Sequence, residues 1–114
     1  MISKSDKYKT PEAESVRQTV AFNLRRLRKS ANLTQQQLAD KVASVLNWGH
    51  VTFQQIQKYE KIHNDYGIKG NKINAVVLDA LAKSLNVPHA EFYKACEYSM
   101  PIVIPTKTGI AVNG

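Results

Sequence analysis

The chain has 114 residues, 43% of them hydrophobic, which suits one domain with a modest core and excludes two independent ones. Sixteen Lys and Arg against nine Asp and Glu give a formal charge of +7. An excess of this size fits a soluble basic surface, or a polyanionic partner whose condensed counterions those cations release.

Residues 1–9 read as a polar arm carrying Lys4, Lys7 and Lys9. Thr10-Pro11-Glu12 marks a helix start: a hydroxyl cap, a proline in the first helical position and an acid in the first turn. Ala13, Val16, Val20, Leu24, Leu27 and Ala31 then recur at three- and four-residue spacing, the apolar face of a helix of about five turns. Arg25, Arg26, Arg28 and Lys29 complement the negative end of its dipole, and Asn32 suits the left-handed residue that ends it.

A second helix opens at Thr34, which forms a capping box with Gln37. Leu38, Ala39, Val42, Val45 and Leu46 make its inward face, and Asn47-Trp48-Gly49-His50 reads as a turn with Trp48 packed beneath it. Thr52 and Gln55 form another capping box, opening a third helix over about 53–61 with Ile56 at its centre and Tyr59 beside it. Residues 62–72 read as a long loop, and a fourth helix runs from about Asn74 to Leu85 with Val77, Leu78, Leu81, Ala82 and Leu85 inward. Pro88 starts a short fifth helix over about 88–97, with His89 near its beginning and Phe92 inward. The tail, 98–114, carries two apolar runs at 102–104 and 110–112, which suit either edge strands or a disordered end. The expected class is therefore all-α: a five-helix domain over 10–97 with a short C-terminal extension.

With Ile56 turned to the core, about 100° per residue points Gln54, Lys58 and Lys61 outward, with Gln57 at the edge and Phe53 near the first turn. This face holds amides and ammonium groups with no acid. It suits a solvated helix surface. It also suits a DNA major groove, where Gln bonds adenine N6 and N7 together, Lys reaches guanine or phosphate, and Phe touches a thymine methyl.

The chain resembles the lambda-repressor-like (Xre/Cro-type) helix-turn-helix family over about residues 16–96. The resemblance is carried by Leu24-Arg25-Arg26-Leu27-Arg28, by Leu33-Thr34-Gln35-Gln36-Gln37-Leu38-Ala39, by Val51-Thr52 with Ile56 and Glu60, and by Leu78-Asp79-Ala80-Leu81-Ala82-Lys83-Ser84-Leu85-Asn86-Val87 with Phe92. It implies that the third helix reads bases, with Thr52, Phe53, Gln54, Gln57 and Lys58 as base contacts. It implies backbone contacts from Arg28, Gln35, Gln55, Lys61, Lys69, Asn71 and Lys72. It also implies an ion pair of Arg28 with Glu60 that orients the reading helix. Two insertions, at about 43–49 and 62–72, depart from the short turns of the family, and the first is expected to extend the second helix by a turn or more.

The function expected is a sequence-specific double-stranded-DNA-binding transcription regulator of repressor type, acting as a homodimer on two half-sites. The alternative is a protein-interaction module of the same fold, such as an antitoxin or anti-repressor. An enzyme is not expected, because no nucleophile-base pair, carboxylate pair or phosphate-binding glycine loop stands out. Cys96 is a lone thiol, and His50, His63 and His89 lack ligand spacing, so neither metal nor other cofactor is expected, nor a small-molecule ligand. No run of about 18 apolar residues is present and the first ten residues are polar, which points to a reducing, cytoplasmic setting in a bacterium, phage or plasmid host and to no membrane partner.

Overall fold

The computed structural model describes residues 11–47, 51–62 and 73–99. They form an all-helical unit: α1 (Pro11–Ser30), α2 (Gln35–Leu46), α3 (Phe53–Tyr59), α4 (Ala75–Leu85) and a 3-10 helix (His89–Tyr93), with no strand among the described residues. The arm, Thr10, Trp48, Gly49, His50, residues 63–72 and both apolar runs of the tail lie outside the described residues.

Local chemistry sets most boundaries. Thr34 and Thr52 each accept a hydrogen bond from the backbone N–H three residues on, while Gln37 and Gln55 reach back to the N–H of the threonine, so both capping boxes are complete. Asn74 caps α4 in the same way, its side chain accepting from the N–H of Val77 at 2.9 Å. Asn32, Asn47 and Asn86 have φ of 58°, 56° and 57°. Each follows a helix, in the left-handed conformation that asparagine tolerates better than other residues with a Cβ. At Asn32 and Asn86 the next residue donates back to a carbonyl five positions earlier: Leu33 to Arg28 at 3.2 Å and Val87 to Ala82 at 3.0 Å. These bonds satisfy carbonyls that a helix end otherwise leaves bare.

The core gathers Val20, Leu24 and Leu27 from α1, Leu38, Ala39 and Val42 from α2, and Ile56 from α3. Val77, Leu78, Ala80, Leu81, Ala82 and Leu85 of α4 complete it with Phe92. α2 packs on both α3 and α4, while the 3-10 helix packs on α1. α2 runs to Leu46, but its last turn is only partly covered: Leu46 is half-buried and Val45 exposed. On α1 the apolar face is buried only from Val20 to Leu27; Val16 is 52% exposed and Ala31 is exposed as well.

Two expectations are corrected. The third helix is shorter than 53–61, because Glu60 is its C-cap and residues 61–62 leave the helical path. The fifth element is not an α-helix over 88–97 but a five-residue 3-10 helix. The cause is visible in α1. Asn23, 1% exposed, donates its amide to the carbonyls of Phe92 (3.0 Å) and Lys94 (2.8 Å), and accepts at Oδ1 from Arg26 Nε at 3.1 Å. Carbonyls turned toward a side chain of α1 do not continue an α-helical ladder. Arg26 also reaches the Glu91 carboxylate at 3.1 Å, and Thr19 and Ser15 engage the Ser99 hydroxyl (2.9 Å) and the Tyr98 carbonyl (2.7 Å).

His89 stands at the start of the element without capping it. Its Nε2 lies 3.0 Å from Asp79 Oδ1, and Lys83 meets the other carboxylate oxygen at 2.9 Å. Hydrogen bonds from Lys83 and then His89 hold the Asp79 carboxyl below its ordinary range. A depressed folded-state value means the tie is complete above the unfolded pKa and fades as pH falls through the lower folded one.

Asn23 therefore fixes the path of the chain after α4. Replacing Asn23 with Ala leaves the buried Phe92 carbonyl and the part-buried Lys94 carbonyl without this donor and is expected to cost about 1–3 kcal/mol in urea or guanidinium unfolding. An unchanged midpoint and slope would show that the 3-10 segment docks without it.

Candidate nucleic-acid interface

α3 is fixed at three points. At its start, the Thr52 and Gln55 capping box satisfies two N–H groups that the first turn otherwise leaves bare and fixes where the helix begins. In its middle, Ile56 is 0% exposed. At its end, Glu60 turns inward and is gripped from two elements. Arg28 Nε and Nη2 of α1 donate to Glu60 Oε2 and Oε1 at 2.6 and 3.1 Å, and Gln35 Nε2 of α2 donates to Oε1 at 3.1 Å. The Arg28 and Glu60 side chains are only 11% and 4% exposed, so water competes little for this bidentate pair. Arg28 Nη1 also donates to the Leu33 carbonyl at 2.8 Å, joining the α1–α2 turn to the same cluster.

Just past α3, Arg17 closes a further clamp. Its Nη1 and Nη2 donate to the carbonyls of Lys61 (2.7 Å) and Ile62 (3.0 Å), while Glu14 of α1 pairs with its other side. Burial pushes the phenol of Tyr59, half-buried against the core, above its ordinary pKa.

With α3 so held, Phe53, Gln54, Gln55, Gln57 and Lys58 are exposed, and Thr52 and Lys61 are half-exposed. Gln54 and Lys58 are one turn apart on the side opposite Ile56. Gln55 has its side-chain oxygen committed to the Thr52 N–H at 3.1 Å, so only its amino group is free to reach outward. Arg25, Lys29, Lys41, Lys58 and Lys61 form no ion pair with another described residue. The surface can thus present amides, ammonium groups and one aromatic edge from a rigid support.

The expected backbone contacts fare differently. Gln35 uses one of its two amide N–H donors on Glu60 and keeps the other and its carbonyl oxygen. Arg28 uses three of its five N–H donors on Glu60 and Leu33 and its side chain is 11% exposed, so it braces these elements. Lys69, Asn71 and Lys72 lie outside the described residues.

Two features escaped the sequence. Arg17 has backbone partners 44 and 45 residues away, which leave no local signal. Gln36 and Asp40 of α2 line an open cleft together with Ala43, Val51, Thr52, Phe53 and Gln54, about 310 Å³ in volume, beside the first turn of α3. Their i, i+4 spacing on an exposed helix face was a readable sign of a shared surface. No group of three or more metal-ligating side chains gathers among the described residues, and no described helix is long and apolar enough to cross a membrane.

Removing one partner of a buried ion pair strands the other. Arg28→Ala is expected to cost about 3–5 kcal/mol in equilibrium unfolding, whereas the apolar double replacement Arg28→Met with Glu60→Leu recovers much of that loss. Additive losses in the double variant would show that the two side chains act independently.

No protein-family model matches the chain, and no curated protein and no solved structure with significant similarity to it was found.

Proposed function

We propose that this chain is a lambda-repressor-like helix-turn-helix protein that binds double-stranded DNA in a sequence-specific way and regulates transcription. In this reading α2 and α3 are the two helices of the motif, and α3 lies in the major groove. The observation that carries it is the exposed face of α3, Gln54 and Lys58, on a helix locked at its start, middle and end. A side chain reads base edges only if its support does not shift, because one good bidentate contact discriminates by only about 1–3 kcal/mol. The resemblance of residues 33–39 and 78–87 to the family, and the +7 charge, point the same way.

In this proposal Gln54 and Lys58 contact bases, Phe53 packs on a thymine methyl, and Thr52, Gln55 and Gln57 lie within reach of the groove or its backbone. Gln35 donates its second amide N–H to a phosphate, and Lys61 contacts phosphate as well. A homodimer would present two such faces to half-sites about one helical turn apart.

A second reading, a protein-interaction module of the same fold, has one observation in its favour. A groove lined by Val16, Thr19, Tyr93 and Ser99 leaves Val16 and Tyr93 more than half exposed, at 52% and 53%. Exposed apolar side chains gathered in one place suit a protein partner.

Binding to duplexes selected from a random pool, compared with binding to unselected duplex, separates the readings. Gln54→Ala is expected to lose roughly 5- to 150-fold on the selected site and little on random DNA. Lys58→Ala is likewise expected to lose more on the selected site than on random DNA, and Lys61→Ala to weaken both and to lower the slope of log affinity against log salt by about one. Equal losses of Gln54→Ala on both duplexes would remove α3 from base reading, and no retention at low salt would favour the protein-partner module.

A further inference from the structure

The cleft between α2 and the first turn of α3 has a definite chemistry. Ala43, Val51 and Phe53 give it an apolar lining, and Gln36, Asp40 and Gln54 supply polar groups. Gln36 Nε2 donates to Asp40 Oδ1 at 2.9 Å, and no other described side chain hydrogen-bonds to this carboxylate. Asp40 is exposed and forms no ion pair with another described residue. An unpaired acid is out of place on a surface that meets phosphates, because it repels any duplex. It gains an attractive partner only where a base offers an N–H donor.

Resting on the DNA-binding reading above, we propose that Asp40 is a specificity-determining residue contributed by α2, and that the cleft takes the major-groove edge of a cytosine. The argument is one of elimination over base edges. Thymine O4 and guanine O6 and N7 are acceptors, which a carboxylate repels. Adenine offers its N6 amine, but beside it stands the N7 acceptor. Cytosine offers its N4 amine to Asp40, and the neighbouring position is the C5 carbon, which the apolar wall of Ala43 and Val51 accommodates while Phe53 stays on the adjacent thymine methyl. Reading is thus shared between two helices: Gln54 and Lys58 from α3, and an acid from α2 that Gln36 orients.

The test uses the full chain and its Asp40→Asn and Asp40→Ala variants. Asp40 is exposed and its side-chain bond is to a neighbour on the same helix, so both variants are expected to keep the wild-type melting temperature. Each protein is used to select duplexes from a random pool, and the enriched site is then competed against copies changed at single positions. Wild type is expected to enrich a cytosine at one position of each half-site and to disfavour thymine there by roughly 5- to 150-fold. The Asn variant carries a donor as well as an acceptor, so it is expected to accept thymine and cytosine alike, and the Ala variant to lose the preference. A site without such a cytosine, or a cytosine preference unchanged in both variants, would overturn the role of Asp40 while leaving DNA reading by α3 intact. Failure of the wild-type chain to enrich any sequence would overturn the underlying reading together with this one.

Discussion

A carboxylate buried to the extent of Glu60, 4% exposed, is stable only when its charge is matched, and matching it dictates where three helices stand. Removing such a group and its guanidinium partner from water costs several kcal/mol each, and only good geometry offsets that. Here the geometry is supplied by a bidentate contact from α1 and an amide from α2, all on a residue that ends α3. If α3 rotates or slides, the pair breaks and leaves charge stranded. The ion pair is therefore better understood as a device that fixes the orientation of a helix than as a large net source of stability.

α1 works as a spine with fittings at several levels. Arg17 and Arg28 grip the chain as it leaves α3, while Asn23 and Arg26 grip the chain after α4. Between these polar fittings run Val20, Leu24 and Leu27, which join the common core. Apolar burial supplies most of the driving force for collapse but is indifferent to small slips. Directional bonds to carbonyls and carboxylates remove that freedom. The same division holds within α3, where Ile56 provides the anchor, Thr52 fixes the start and Glu60 fixes the orientation.

Much of this was readable in the sequence wherever cause and effect lie within one helical turn. The Thr34 and Gln37 box, the Thr52 and Gln55 box, the left-handed Asn32 and the inward face of α4 follow from spacings of three and four residues. What was not readable depends on distant partners. Asn23 looks like an ordinary polar residue on α1, yet it sets the end of the last helix through carbonyls 69 and 71 residues away. The expected α-helix over 88–97 fails for that reason, since periodicity around Phe92 carries no information about Asn23. Val16 sits on the apolar stripe of α1 and is still 52% exposed, which its spacing alone does not reveal. At the candidate site, the Arg28 and Glu60 brace is legible from the resemblance, and only the packed surroundings show that it also takes in the Leu33 carbonyl and Gln35. Asp40 was visible as a letter but not as a member of the α3 surface, because the cleft exists only once α2 and α3 are packed.

The central claim is that a rigid α3, held through Glu60, presents its outer face to duplex DNA. The most direct measurement is the pattern of backbone amide shifts in the labelled full chain as a selected duplex is added. The account predicts shifts concentrated at residues 52–58 and at the beginning of α2, with the amides around Glu60 and Arg28 keeping their protection from hydrogen exchange. Shifts concentrated instead around Val16 and Tyr93, with 52–58 unmoved, would contradict it.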